Sequence, residues 1–230
     1  MNNIMKKKVF IIVAHADDET LAMGGTIAKH VSQGSKVFVM SMTDGVSARE
    51  LGNINDDIEN RADSANKAAK ILGFQWVGSY QFPDNALDTV PMLELVKVIE
   101  ENKNKILPDI IYTHSQADLN VDHRIVNQAV FTAFRPQPNE TWEEIRSFEI
   151  PSSTDYSHPS VTSQFTPNLY INIENTWNSK LMALKQYHLE MRPDPHSRSY
   201  EGLEGLAKLR GFQVGIKMAE AFEIIRKIDR

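Results

Sequence analysis

The sequence predicts an α/β fold, a mainly parallel sheet with helices on both faces. Three observations carry this expectation. Val9 to Val13 and Lys36 to Met42 are uninterrupted runs of mostly β-branched, aromatic and long apolar residues, the pattern of strands buried on both sides. Between them an apolar stripe recurs at helical spacing. Strand and helix patterns then keep alternating with short connections, which favours parallel pairing through crossover helices.

The elements follow in order. Val9-Phe-Ile-Ile-Val13 is the first strand, and Leu21, Gly24, Ala28 and Val31 mark the helix after it, with Gly34 as its stop signal. Lys36 to Met42 is the second strand. Ile58, Ala62, Ala65, Ala69 and Leu72 share one face of a second helix, closed by Gly73. Val90 to Glu101 reads as a helix ending before Pro108, Asp109 to Thr113 as a strand, and Asp122 to Phe134 as a helix. The segment 135–167 holds five prolines among many Ser and Thr, so it reads as loop-rich with short strands. Helical patterns return at Asn175 to Glu190, Tyr200 to Leu209 and Gly215 to Arg226. No repeat or long linker divides the chain, so residues 1–230 are expected to form a single domain.

Composition narrows the functional classes. The 230 residues are 41% apolar and 24% charged, values of a protein with a substantial core. Twenty-five Lys and Arg against 30 Asp and Glu give a net charge of −5, which argues against general binding to nucleic acid. There is no cysteine, so disulfides, thiolate metal sites and cysteine nucleophiles are excluded. The apolar run after Lys6 to Lys8 is shorter than the about 7–15 residues of a secretory signal, and no stretch approaches the roughly 20 of a membrane span. A cytoplasmic protein without membrane insertion is the expectation.

Ligands of open α/β sheets bind beyond the carboxyl ends of the strands. There the sequence places Ala14-His15-Ala16-Asp17-Asp18-Glu19-Thr20 after the first strand, and Thr43-Asp44-Gly45 after the second. After the third come His114 and Asp118-Leu119-Asn120-Val121-Asp122-His123. His15 and Asp18, three apart on an opening helical turn, can converge on one point. His123 supplies a third ligand. Two imidazoles and a carboxylate leave positions open for water and substrate, as in catalytic zinc sites, where the ion lowers the pKa of water to about 7. Asp17 is the nearest proton acceptor. The same donors would also suit a non-haem iron(II) enzyme. The bland alternative makes Asp17 to Glu19 helix-capping acids on a metal-free sugar- or nucleotide-binding module. Gly24-Gly25-Thr26 matches neither a P-loop nor a dinucleotide fingerprint.

These residues resemble the signature of the LmbE-like, or PIG-L, N-acetylglucosamine deacetylases. The string Ala14 to Thr20 with Gly24-Gly25 resembles the first motif, and Asp118 to Arg124 the second, which ends in Asp-His. The resemblance extends to Thr43-Asp44-Gly45, Arg61, Phe82-Pro83-Asp84-Asn85 and Pro195-His196-Ser197-Arg198-Ser199. It implies a Rossmann-like sheet, a zinc ion on His15, Asp18 and His123, and Asp17 as general base. The reaction it implies is hydrolysis of an acetamido group on a small N-acetyl sugar, giving acetate and an amine.

By the same resemblance, Asp122 orients a side chain of the site, and His196 is a catalytic histidine from the C-terminal part. Arg61, Asp84, Asn120 and His114 are expected to meet the substrate. Three positions depart from the family pattern. Ala16 stands where Pro is usual, and Asn120 where several branches carry a His that stabilises the oxyanion, a role left to His114 or His196. Ser64 replaces an acid common after Arg61, so that arginine lacks its expected partner. A homo-oligomer is compatible with the sequence but nothing in it requires one.

Overall fold

A computed structural model describes residues 6–43, 45–46 and 54–229. The Asp44 of the Thr43-Asp44-Gly45 motif lies outside them. The strands are β1 (Lys8–Val13), β2 (Lys36–Thr43), β3 (Gln75–Phe82), β4 (Ile110–His114), β5 (Glu144–Phe148), β6 (Leu169–Asn172) and β7 (Ala219–Lys227). The helices are α1 (Asp18–Ser32), α2 (Ile54–Leu72), α3 (Met92–Ile106), α4 (Val121–Ala133), α5 (Trp177–Leu184) and α6 (Tyr200–Phe212). Among the described residues no helix is long and apolar enough to cross a membrane.

The seven strands form one sheet in the order β3-β2-β1-β4-β5-β7-β6. The first five are parallel, and β7 pairs antiparallel with both β5 and β6. The period-two alternation of β1 divides the core. Val9, Ile11 and Val13 pack with Met23 and Ile27 of α1 and Ala65, Ala69 and Leu72 of α2. Phe10 and Ile12 pack with Leu95 and Ile99 of α3 and Val126 and Val130 of α4. Both faces of β1 are therefore sealed, which is why its sequence is apolar without interruption.

The strand β7 corrects one expectation. Gly215 to Arg226 reads as helical because Ala219, Glu220, Ala221 and Glu223 are good helix formers. Here the segment fills the gap between β5 and β6, and tertiary pairing overrides local propensity. The helix expected over Asn175 to Glu190 is shorter, ending at Leu184 before one 3₁₀ turn. The strand β3 had no clear signal, since Gln75-Trp-Val-Gly-Ser-Tyr-Gln-Phe mixes polar and small residues at a sheet edge.

Helix α1 is broken at Met23, whose φ of −144° is not helical. A buried ion pair mends the break. Lys180 Nζ donates to Leu21 O (2.8 Å) and to Glu220 Oε1 (2.6 Å), while Glu220 accepts from Gly25 N (3.0 Å) and Thr26 N (2.6 Å). Gly25 must be glycine, because a Cβ there would approach Ile173 to 2.8 Å. The pair thus fixes the first two turns of α1, which carry the acids of the site. Glu220→Ala leaves two backbone N–H groups buried without their acceptor and the Lys180 ammonium buried without its counter-charge, an expected loss of about 3–5 kcal/mol. Denaturant unfolding checks this, and a loss below about 1 kcal/mol contradicts it.

Candidate metal and active site

Neighbouring parallel strands β1 and β4 bring the two sequence motifs together. Their connections leave in opposite directions, β1 toward β2 and β4 toward β5, so a crevice opens beyond their carboxyl ends. The turn His15 to Asp17 enters α1 from one side, and α4 begins on the other. Asn120 caps α4, its Oδ1 accepting from Asp122 N (2.8 Å) and His123 N (3.4 Å).

Three donor atoms converge. His15 Nδ1 lies 3.2 Å from Asp18 Oδ2, His123 Nε2 lies 3.4 Å from the same oxygen, and the two nitrogens are 3.3 Å apart. Tetrahedral zinc with bonds of about 2.0–2.1 Å has ligands about 3.3–3.4 Å apart. The triangle therefore has the edge length such an ion requires, with one face open. His15, Asp84 and Asp122 form a second possible group. There both oxygens of Asp122 accept backbone N–H groups, from Asn85 (2.7 Å) and Leu87 (3.0 Å), whereas in the first triangle Asp18 Oδ2 accepts one, from His15 (2.9 Å). The first triangle is the better candidate.

Carboxylates hold the outer nitrogen of each imidazole. His15 Nε2 faces Asp84 Oδ1 at 3.1 Å and Asp122 Oδ2 at 3.3 Å, and His123 Nδ1 faces Asp118 Oδ2 at 3.1 Å. Thr154 donates to that Asp118 oxygen at 2.7 Å, and Ser153 donates to the other. Such partners orient the ring and raise its basicity as a ligand.

The field of the cluster invites a cation. Burial opposes charge on His123, but Asp18 and Asp118 outweigh it and push its pKa up to about 9. Burial likewise opposes charge on His15, and Asp18, helped by Asp122 and Asp84, raises it well above the ordinary value. Burial works against the charged form of Asp18 as well, yet His123, His15 and His114 hold it well below the usual range.

Asp17 is 3% exposed and is not a capping acid, since its side chain makes no cap hydrogen bond to α1. Its Oδ1 lies 3.3 Å from Arg61 Nη1, and its Oδ2 lies 3.7 Å from Arg198 Nη1. Burial raises its pKa; Arg61 and Arg198 counter that, while Asp18 and Glu190 add to it. Glu19 beside it points away, accepting from Thr20 Oγ1 (2.7 Å) and Tyr187 OH (2.9 Å). Burial pushes the Glu19 carboxyl up to about 8.

Arg61 lines the cavity, but protein acceptors occupy it. It donates to Ala16 O (2.9 Å) and Gly45 O (3.2 Å), and pairs with Asp17 and with Glu190 Oε1 (2.8 Å). Glu190 is thus the acid partner whose absence Ser64 suggested, supplied from a distant segment. Asp84 and Asn120 line the cavity, with Asn120 Nδ2 donating to Asn85 Oδ1 at 3.1 Å.

Two expected histidines do not line it. His114 is fully buried behind His123, the rings stacked at 4.0 Å, and its Nε2 accepts from Ala14 N at 2.9 Å. Burial and the neighbouring His123 hold its pKa well below the ordinary value. His196 accepts from Arg198 N at 3.0 Å and its Nε2 lies 3.4 Å from Tyr156 OH. Arg198 of the same motif takes the cavity position instead, and Ser152, Ser153 and Glu190 line it unanticipated. Arg198 stood in a quoted motif and was the one of these with a sequence signal.

The cavity measures about 280 Å³. Residues 10–134 match the family model PIG-L, described as GlcNAc-PI de-N-acetylase. The chain is 26% identical to the diacetylchitobiose deacetylase of Thermococcus kodakarensis, covering 95% of this chain and 83% of that protein. Among solved structures, the N,N'-diacetylchitobiose deacetylase of Pyrococcus horikoshii superposes with a TM-score of 0.77 at 24% identity, over 96% of this chain and 84% of that one. A 4-carboxy-2-hydroxymuconate hydratase from Pseudomonas putida has the same fold, with a TM-score of 0.73 and 20% identity, over 97% and 98%. The fold alone therefore leaves the reaction open.

Proposed function

The chain belongs to the PIG-L family of GlcNAc-PI de-N-acetylases, and from that premise we propose that it is a zinc-dependent hydrolase of an N-acetylglucosamine-type sugar. The observation that carries the reading is the triangle His15 Nδ1, Asp18 Oδ2 and His123 Nε2, with a buried, uncapped Asp17 next to it. A zinc ion held by the three donors would supply a water of pKa about 7 and a Lewis acid for a carbonyl oxygen.

The residues of the chain do the rest. Asp17 takes a proton from the water that attacks the acetamide carbon, and Arg61 and Arg198 fix its carboxylate in place. When the C–N bond breaks, Asp17 returns that proton to the leaving nitrogen, so one water is consumed and acetate and an amine are formed. Asp118, Asp84 and Asp122 keep the two imidazoles aimed at the cluster. Asp84 and Asn120, together with Asn85, present acceptors and donors suited to sugar hydroxyls. The setting expected is the cytoplasm, with a small N-acetyl sugar as substrate.

The test is product analysis on N-acetylglucosamine, its glycosides and nucleotide-linked forms. Acetate and primary amine should appear in equal amounts from at least one of them. A panel that yields neither, with hydration of an unsaturated acid in its place, would contradict the reading.

A further inference from the structure

From the cavity we infer that Arg198 is a further catalytic residue: its guanidinium meets the oxygen of the acetamide group and carries the negative charge that develops there. This rests on the deacetylase reading and adds to it a residue that touches the reacting atoms.

Attack of water on an amide puts negative charge on the carbonyl oxygen, and donors fixed in place at that oxygen commonly make the largest single contribution to the rate. His114 and His196 do not line the cavity, and Asn120 is uncharged and already donates to Asn85. Among the described lining residues the arginines are Arg61 and Arg198.

Arg61 is saturated. Its Nη1 meets Ala16 O at 2.9 Å and Asp17 Oδ1 at 3.3 Å, and its Nη2 meets Gly45 O at 3.2 Å and Glu190 Oε1 at 2.8 Å. Each η nitrogen has two N–H groups, so protein acceptors face all four.

Arg198 is engaged at one nitrogen only. Its Nε donates to Ser152 Oγ at 3.0 Å, while Nη1 stands 3.7 Å from Asp17 Oδ2, beyond hydrogen-bond reach. Neither η nitrogen makes a hydrogen bond to another described residue. A fork of N–H donors therefore remains available at the cavity wall, beside the residue that carries the proton.

The fork is held from behind. Ser152 has a φ of +66°, a region that residues with a side chain seldom adopt, and in that conformation it takes Arg198 Nε. Backbone strain of this kind gathers at functional sites. Arg198 N donates to His196 Nδ1 at 3.0 Å, Arg198 O accepts from Arg192 N at 3.3 Å, and the next residue, Ser199, caps α6. The guanidinium is thus fixed before substrate arrives. Its contact with an oxygen strengthens as that oxygen becomes charged, which is the kind of interaction that raises kcat.

The experiment uses an uncharged glycoside of N-acetylglucosamine, so that charge develops at the acyl group alone. Beside it stands the methylphosphonamide analogue, whose tetrahedral P–O⁻ mimics the attacked carbonyl. With metal-replete protein, Arg198→Met should lower kcat by about 10²–10³-fold and raise Ki for the analogue by a similar factor. The Kd of the amine product, which has no acyl group, should not change, and that constancy shows the variant is folded. Arg198→Lys keeps the charge without the fork and should recover part of both losses. Ser152→Ala should weaken the analogue severalfold. In an Asp17→Asn background, Arg198→Met should raise Ki by the same factor, because the contact does not run through Asp17.

Equal Ki in Arg198→Met and the unaltered protein would overturn the inference. So would a rise in Ki that vanishes in the Asp17→Asn background, which would leave Arg198 a positioning residue for Asp17. Amine release confined to phosphorylated sugars, with Arg198→Met abolishing that preference, would assign the guanidinium to the substrate's own phosphate and overturn it as well. Each of these outcomes leaves the deacetylase reading standing. No amine from any acetylated sugar with the unaltered protein would defeat that reading, and this inference with it.

Discussion

Asp17→Asn is expected to lower kcat by about 10²–10⁴-fold, the range of a general acid–base group, with KM and zinc content nearly unchanged. The expectation comes from geometry. Asp17 is outside the donor triangle, so the amide removes no ligand, but it can no longer accept and return a proton. The amide is of the same size and can still accept from Arg61, so the fold should hold. Steady-state kinetics and metal analysis on one preparation check this. A variant within tenfold of wild-type kcat would remove Asp17 as the proton carrier.

His123→Ala should abolish turnover and weaken zinc binding by more than the 10–100-fold typical of losing an outer partner. Asp118→Asn provides the scale. It keeps His123 but weakens what faces its Nδ1, so zinc affinity should fall by roughly 10–100-fold. A competitive chelator titration reads both. Equal affinity in His123→Ala and wild type would overturn His123 as a ligand, and an effect of Asp118→Asn as large as that of His123→Ala would contradict the graded arrangement.

Much of the parallel half of the molecule was legible because its signals are local. The run Val9 to Val13 is apolar throughout, since both faces of β1 are covered, and no other short pattern says this as clearly. His15 and Asp18 converge as the spacing suggested, but through the tight turn ahead of α1 rather than along a helical turn, since α1 begins only at Asp18; His123 came from a motif after a neighbouring strand. Asp118 was in view within that motif, but its contact with His123 depends on a loop conformation that spacing does not reveal.

What was not legible came from residues distant in sequence. Glu190 reaches Arg61 across more than half the chain, and it sat inside an expected helix with nothing to set it apart. Glu220 had the propensity of a helix and acts from a strand, where it mends the break in α1. His196 and Arg198 shared one motif, and the choice between them turns on which side chain the turn aims inward. Here Arg198 enters the cavity, and the ring of His196 meets Tyr156. His114 had the right position at a strand end, but its ring turns beneath His123 and accepts from the backbone.

The central claim is that one ion on His15, Asp18 and His123 is needed for amide hydrolysis. Its most direct test is a titration of chelator-stripped protein with zinc, following amine release from an N-acetylglucosamine glycoside that the intact protein hydrolyses. Activity should be near zero at the start and rise linearly to a plateau at about one zinc per chain. Full activity in the stripped protein, or a plateau unrelated to bound zinc, would contradict the account.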